Sequence, residues 1–115
     1  MRFEISEPFR NRMVALTEER WGHILQGHPE MAAHEDDIAG CIQAPDMILQ
    51  CERDRNTELF YKRLQRSPGY CLSIKVVVRF SDIPSGGTSG EVITSFKVQN
   101  MVGGSILWLP AHLTL

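Results

Sequence analysis

The chain has 115 residues, of which 43% are hydrophobic and 23% are charged. This size and composition are typical of one folded domain with its own core, and they exclude a disordered chain. No apolar run approaches the ~18 residues of a membrane span. The segment Met1–Pro8 contains two glutamates and lacks the apolar core of a signal peptide. We therefore expect a single cytoplasmic domain, residues 1–115, that does not contact a membrane.

The charges are unevenly distributed along the chain, although the net charge is only −2. Residues 1–54 contain five basic and eleven acidic side chains, whereas residues 55–115 contain seven basic and three acidic ones. A basic C-terminal half can present a positive surface to an anion, although scattered surface charges would give the same count. The three cysteines form no Cys-x-x-Cys pair, which is typical of buried thiols in a reducing compartment.

A first helix is predicted from about Glu18 to Gln26. Thr17 is a suitable N-cap, and Gly27 is a suitable C-cap. The residue before a proline is disfavoured in the helical region, so His28, which precedes Pro29, is expected on a fixed kink. The sequence therefore predicts a helix that ends just before a histidine.

A second helix and four strands are predicted beyond this kink. The helix covers about His34 to Ala44 and has acidic residues in its first turn. Ser81–Gly90 is expected to be a flexible loop, and Ser105–Leu109 is either a terminal strand or a docked tail. The expected fold is α+β, with two N-terminal helices packed on a four-stranded antiparallel sheet. The four strands are rich in Val, Ile, Phe and Tyr, and they are Met47–Cys51, Leu59–Leu64, Tyr70–Phe80 and Glu91–Gln99.

Strand alternation predicts which side chains share the face of the sheet away from the helices. In Glu91–Gln99 the alternation places Thr94 on the inner face, against the helices. The outer face then gathers a set of polar and basic side chains: Lys75, Arg79, Ser95 and Lys97, with Tyr61 and Arg63 from the neighbouring strand. Such a face is suited to phosphate groups, although antiparallel sheets commonly carry charges on their solvent side.

The segment Arg20–Glu30 concentrates the chemically active residues of the chain. Its two histidines can supply both a proton acceptor and a proton donor near neutral pH. His23 and His28 are about 140° apart around a regular helix, so they converge only if the chain turns at Gly27. Simpler interpretations are a buried, neutral His23 and a His28 that only caps the helix.

A zinc site is a second interpretation of the same region. It would use the histidines and a glutamate of this segment together with the next histidine: His23, His28, Glu30 and His34. These spacings match no strong zinc motif, and no cysteine lies near them in the sequence. The sequence therefore favours a site without a metal or another cofactor.

Four segments together resemble a known family: Leu16–Glu30, Ala44–Asp46, Phe60–Arg63 and Val92–Phe96. They are similar to small phage and bacterial domains grouped with barnase, EndoU, the tRNase colicins and RelE-type toxins. The resemblance covers most of the chain and implies a barnase/RelE-like core over about residues 14–100. It also implies toxin-like, metal-independent cleavage of RNA, with His23, His28 and Thr94 at motif positions.

The resulting hypothesis is an endoribonuclease that uses histidine acid/base catalysis without a metal. His23 and His28 would share the roles of acid and base, with Arg20 stabilising the phosphate and Thr94 orienting it. Further substrate-binding candidates are Tyr61, Lys62, Arg63, Lys75, Ser95 and Lys97. The alternative is a non-catalytic RNA- or protein-binding module of the same fold. Both interpretations leave open an antitoxin or other protein partner, and the sequence does not indicate the oligomeric state.

Overall fold

The computed structural model describes residues 1–64 and 72–113. Two helices occur in this part, α1 Glu18–Gly27 and α2 Glu35–Gln43, with short 3-10 helices at Pro29–Ala33 and Ala111–Leu113. The strands of this part are β1 Phe3–Ser6, β2 Met13–Leu16, β3 Met47–Cys51, β4 Thr57–Arg63, β5 Ser73–Asp82, β6 Thr88–Val98 and β7 Gly104–Trp108. They form one sheet in the order β1-β2-β6-β5-β4-β3-β7. Neighbouring strands are antiparallel except β2 and β6, which are parallel.

This seven-stranded mixed sheet corrects the prediction of a four-stranded antiparallel sheet preceded by two helices. β3 to β6 occupy the regions of the four predicted strands, but β1 and β2 precede the helices and extend one edge, while β7 extends the other. Length alone does not explain why the added strands were not included in the predicted sheet, because β3 has only five residues and was predicted. The parallel pairing of β2 with β6 joins distant parts of the chain, so no local pattern indicates it.

Two strand ends also differ from their predicted positions. The predicted loop over Ser81–Gly90 is shorter, because β5 continues to Asp82 and β6 begins at Thr88. Gly86 and Gly87 have φ angles of 104° and 81°, which glycine adopts readily in such a turn. The predicted start of the third strand at Tyr70 lies outside the described residues.

The first helix forms where its capping residues predict it. The Thr17 side chain accepts a hydrogen bond from the Arg20 N–H at 3.1 Å, as an N-cap should. At the other end, the His28 N–H donates to the Ile24 carbonyl at 2.7 Å, so the helical hydrogen bonds continue past Gly27. The C-cap is therefore His28, one residue later than the predicted Gly27, and His28 lies on a kink before Pro29 as predicted.

The two helices and one face of the sheet enclose the main core, and we call this side of the sheet the helix face. Its buried side chains include Trp21 and Ile24 of α1, Ile38 and Ile42 of α2, and Phe60, Ile74, Val76, Val78 and Val92 of the sheet. In the described residues, neither helix has the length and hydrophobicity needed to cross a membrane. The helices are thus amphipathic elements that cover one side of the sheet.

The opposite side of the sheet, which we call the open face, carries a smaller apolar cluster. Leu49, Leu59 and Tyr61 are buried there, with Met101 packed against them. The connection from β6 to β7 passes over this cluster, because the Tyr61 hydroxyl donates a hydrogen bond to the carbonyl of Val102. The open face is therefore partly covered by the chain's own connection.

The pairing of β5 with β6 shifts by one residue in its centre. Val77 lies opposite Thr94, whereas Val78 lies opposite Val92, so Ile93 is an extra residue in β6. An extra residue of this kind is a β-bulge. Because side chains alternate between the two faces, one extra residue exchanges the faces of all β6 residues beyond it.

The bulge reverses the predicted orientation of the second half of β6. Thr94 was expected on the inner face, but it lies opposite Val77 and therefore on the open face. Ser95 and Lys97 were expected beside Lys75, but they lie opposite Val76 and Ile74, two buried residues of the helix face. The predicted grouping is therefore wrong for Ser95 and Lys97, whereas Lys75, Arg79, Tyr61 and Arg63 share one face as predicted.

A buried ionic network connects the first two strands to the centre of the sheet. The Arg12 guanidinium donates to Glu7 at 2.7 Å and to both carboxylate oxygens of Glu58, at 2.7 and 2.8 Å. It also lies 3.7 Å from the centre of the Phe80 ring. Glu7 is 0% exposed and accepts further hydrogen bonds from the backbone N–H groups of Phe9, Arg10 and Arg12. Burial opposes the charge of Glu7, but these hydrogen bonds hold its pKa below its usual value.

Replacing Glu7 should destabilise the protein. We expect Glu7→Gln to lower the free energy of unfolding at neutral pH by about 3 kcal/mol, because it leaves part of the Arg12 charge buried without its partner. The lowered pKa of Glu7 contributes stability above the unfolded-state pKa of about 4.3, and this contribution is lost as the pH falls through the folded-state pKa. The loss of stability on acidification should therefore be smaller in Glu7→Gln. Urea unfolding at several pH values measures both effects.

Glu4→Gln is the matched control, because Glu4 lies on β1 and is exposed. This variant should change the free energy of unfolding by no more than about 0.5 kcal/mol. An equal loss of stability in the two variants would contradict the role of the buried network.

The start of β7 depends on a close approach between two backbones. A Cβ atom added at Gly104 would lie 1.5 Å from the carbonyl oxygen of Gln50 in β3. We expect Gly104→Ala to lower the free energy of unfolding by about 2–3 kcal/mol, because β7 would have to move away from β3. Gly27→Ala is the control, since an added Cβ there meets no atom within 4 Å. Equal urea midpoints for the two variants would show that β7 does not pack as described.

Candidate functional site

The main group of chemically active side chains lies where the end of α1 meets the open face. The His28 ring stacks on Phe96 of β6, with 4.9 Å between ring centres and 22° between ring planes. Lys75 of β5 approaches the same phenyl ring, with its Nζ 5.4 Å from the ring centre. Glu30 contacts His28 from the following turn, where Nδ1 and Oε1 are 3.5 Å apart. We call His28, Glu30, Phe96 and Lys75 the His28 cluster.

Backbone hydrogen bonds fix the position of His28 at the end of the helix. Its N–H donates to the Ile24 carbonyl, and its own carbonyl accepts the N–H of Met31 at 2.9 Å. The side chain is 38% exposed, so one side of the imidazole remains accessible to a ligand. The segment thus holds the histidine in place without burying it.

Lys75 is a partly buried cation in the middle of the sheet. Its cross-strand neighbours are Tyr61 and Phe96, and its Nζ lies 5.8 Å from the centre of the Tyr61 ring. No carboxylate in residues 1–64 and 72–113 lies within 4.0 Å of this Nζ. The two rings provide cation–π contacts, which leave the positive charge available to an anion.

Arg20 and Thr94 lie on other parts of the same side of the sheet. The Arg20 Nε is 3.1 Å from the Glu91 carboxylate of β6, so its charge already has a partner. Thr94 is partly buried on the open face, opposite Val77. Because of the bulge, Thr94 therefore lies on the open face and not on the inner face, where alternation placed it.

His23 does not join His28. Its side chain is 57% exposed, and its Nε2 lies 3.8 Å from a carboxylate oxygen of Glu19, one turn earlier in α1. His28 instead contacts Glu30 and Phe96. The interpretation of His23 as a core histidine is wrong, and the expected pairing of the two imidazoles is absent because the helix continues through Gly27.

Three of the predicted substrate-binding side chains have structural partners. Lys62 donates to the carbonyl of Ala44 at 2.7 Å, where it caps the C-terminal end of α2. The Ser95 hydroxyl is buried and donates to the carbonyl of Lys75 at 2.8 Å. The Tyr61 hydroxyl is bonded to Val102, as described for the open face. These groups stabilise the fold and are not directed at a ligand.

The other three basic side chains of the predicted outer face, besides Lys75, are dispersed. Arg63 is exposed at the end of β4, and its backbone N–H donates to Asp46. Arg79 is exposed and pairs with Asp54 at 3.6 Å. Lys97 lies on the helix face, on the opposite side of the sheet from Lys75. Lys75 is therefore the predicted cation that the structure brings close to His28.

The sequence did not identify Phe96 as part of the site. Alternation assigned it to the inner face, yet the bulge at Ile93 brings it to the open face beside Lys75. Two features of the sequence could have indicated Phe96 as part of the site: its position in the Val92–Phe96 motif and the histidine-rich segment of α1. Nothing in the local pattern of β6 indicated the extra residue that decides its orientation.

The four residues of the alternative zinc site are also separated. His34 pairs with Asp37 at 2.7 Å, while His23 and His28 contact Glu19 and Glu30. Within residues 1–64 and 72–113, no three His, Cys, Asp or Glu side chains are grouped so that they could hold a metal ion. In the described residues, the four side chains of the hypothetical zinc site therefore do not converge.

Comparisons of the chain with protein-family models, with curated proteins and with solved structures found no match. The resemblance of the sequence motifs to barnase- and RelE-like nucleases therefore stays a prediction. The function has to be argued from the geometry of the His28 cluster and from the chemistry of its side chains.

The faces of Thr94 and Ser95 can be tested by stability measurements. We expect Ser95→Ala to lower the free energy of unfolding by about 1 kcal/mol, because a buried hydrogen bond to Lys75 is lost. Thr94→Ala should change it by about 0.5 kcal/mol or less, because Thr94 is only partly buried. Thermal or urea unfolding provides both values. The reverse order of effects would mean that β6 has no bulge and that Thr94 points inward.

Proposed function

We propose that this chain is a metal-independent ribonuclease in which His28 transfers a proton at the phosphate that is cleaved. The observation that supports this proposal is the His28 cluster. It combines an accessible imidazole with a carboxylate 3.5 Å from its Nδ1. The imidazole and a lysine without a carboxylate partner in the described residues both contact the Phe96 ring.

The carboxylate of Glu30 gives the two nitrogens of His28 different roles. A carboxylate beside Nδ1 favours the tautomer that carries its hydrogen on Nδ1, which leaves the lone pair on Nε2. The stack on Phe96 limits rotation of the ring. Nε2 is then the atom that accepts the proton of a ribose 2′-hydroxyl.

Lys75 supplies the positive charge for the phosphate in this proposal. The transition state of phosphodiester cleavage gathers negative charge on the non-bridging oxygens, so a nearby cation lowers its energy. Arg20 contributes less than predicted from the sequence, because its guanidinium is already paired with Glu91. In this proposal Lys75 stabilises the charge on the phosphate, a role that the sequence analysis assigned to several basic residues.

The reaction itself requires no metal or cofactor. His28 Nε2 takes the 2′-hydroxyl proton, the 2′-oxygen forms a bond to phosphorus, and the bond from phosphorus to the 5′-oxygen breaks. The leaving 5′-oxygen takes up a proton, and the products are a 2′,3′-cyclic phosphate and a free 5′-hydroxyl. His23 lies near Glu19 and makes no hydrogen bond, ion pair or ring contact with the His28 cluster in the described residues, so the second proton is assigned to solvent.

A non-catalytic RNA-binding module is the second candidate, and one observation favours it. His23 and Arg20 are each matched by a glutamate, which leaves a single histidine and a single cation at the site. Such a site can bind a phosphate group without cleaving the chain. The two candidates differ in their dependence on His28, and this difference can be measured.

RNA cleavage by purified protein in the presence of EDTA tests the proposed activity. We expect His28→Ala to reduce the cleavage rate by a factor of about 10²–10⁴, which is the usual contribution of general acid–base catalysis. His112→Ala, which changes an exposed histidine near the end of the chain, should leave the rate unchanged. Cleavage that survives in His28→Ala, or that disappears with EDTA, would contradict the proposal.

Lys75 and Lys97, which lie on opposite faces of the sheet, allow a matched test of RNA binding. Lys75→Ala should weaken the binding of single-stranded RNA and reduce the salt dependence of binding by about 0.7 in a plot of log K against log salt. Lys97→Ala removes the same charge from the helix face and should have little effect. RNA binding that depends on Lys75, without cleavage at any pH, would favour the binding module.

A further inference from the structure

The sheet has two edge strands, and they differ in how they are protected. In the described residues these edges are β1 and β7. An exposed edge presents unpaired N–H and C=O groups that can pair with another strand, and proteins usually block it with charges or proline. The protection of each edge therefore indicates whether it pairs.

The β1 edge is blocked by charge. Arg2, just before the strand, forms ion pairs with Glu35 at 2.6 Å and with Glu18 at 3.5 Å. Glu4 in the strand is exposed, and Pro8 follows the strand. A second strand that approached β1 would meet these charges, so strand pairing at this edge is unfavourable.

The β7 edge lacks the charges that block β1. A proline follows each strand by two residues, Pro8 after β1 and Pro110 after β7, so charge is what distinguishes the two edges. The sequence contains no Asp, Glu, Lys or Arg after Lys97, so the whole of β7 and the connection before it are uncharged. Proline is absent from Gly104–Trp108. Two of the most exposed large hydrophobic side chains of the described residues lie here, Val102 at 64% and Ile106 at 57%. This edge is therefore apolar and uncharged, and no strand of the described residues pairs with its outer side.

We propose that β7 pairs antiparallel with β7 of a second copy of this chain. An antiparallel pair of identical strands is complementary to itself, because each copy offers the same N–H and C=O groups around a two-fold axis. The absence of charge means that two copies do not repel each other along this edge. Pairing of β7 with β1 would form open chains of molecules, and the charges on β1 oppose it.

Ile106 lies at the centre of the proposed interface. It is the middle residue of Gly104–Trp108, so symmetric pairing of the whole strand places it next to the partner's Ile106. Its cross-strand neighbour within the chain is the buried Leu49 of the open face. The dimer therefore extends the apolar row of the open face from one copy into the next.

The interface is small, because a strand of five residues is only about 17 Å long. Interfaces that bury less than about 1,200 Å² usually belong to weak complexes. We therefore expect a dimer that forms reversibly and depends on protein concentration. Sedimentation velocity over a wide concentration range should show the mass rising from that of one chain towards twice that value.

Two charge variants test the position of the interface. Ile106→Lys should keep the protein monomeric at all concentrations, because it places two like charges side by side at the two-fold axis. Ile83→Lys is the matched control, since Ile83 is an exposed isoleucine in the turn between β5 and β6. This control should dimerise like the unmodified protein.

Mixing of two variants separates loss of pairing from loss of folding. Ile106→Lys and Ile106→Glu should each be monomeric, and an equimolar mixture should form a heterodimer through opposite charges. An unmodified protein that stays monomeric at every concentration would overturn the proposal. Dimerisation of Ile106→Lys alone would also overturn it, because the interface would then lie elsewhere.

Discussion

One extra residue in β6 decides the arrangement of the candidate site. The bulge at Ile93 exchanges the two faces of the strand beyond it, so Phe96 reaches the open face and Lys97 reaches the helix face. His28 can then stack on the Phe96 ring, and Lys75 lies between the rings of Tyr61 and Phe96. Without the extra residue, Lys75 and Lys97 would share one face and Phe96 would be in the core.

The rigidity of this arrangement depends on how the first two strands are attached. β2 pairs with β6 through only three residue pairs, and the ionic network of Arg12 adds a buried connection to β4. A charged group that is buried with its partners in place is held strongly, because separating them leaves an uncompensated charge. This connection fixes the chain just before α1, and α1 carries His28 to the edge of the sheet.

The elements that the sequence predicted well are those governed by local interactions. Thr17 begins α1 as its N-cap, and the alternating residues Ile74, Val76 and Val78 face the core as expected. The short strands β2 and β7 were missed or left undecided, since they pair with strands that are distant in the sequence, β6 and β3. The pairing of His23 with His28 failed for a related reason: it required a turn at Gly27, whereas Pro29 ends the helix one residue later.

The sequence by itself determined the two helices, the strands β3 to β6 and the concentration of polar chemistry between Arg20 and Glu30. These features follow from capping, periodicity and composition, all of which act over a few residues. Only the tertiary structure decided which of the predicted residues meet. It brought His28 together with Phe96 and Lys75, and it gave Arg20, His23, Lys62 and Ser95 other partners. The physical reason is that the face and register of a strand depend on its neighbours, and a single bulge changes both.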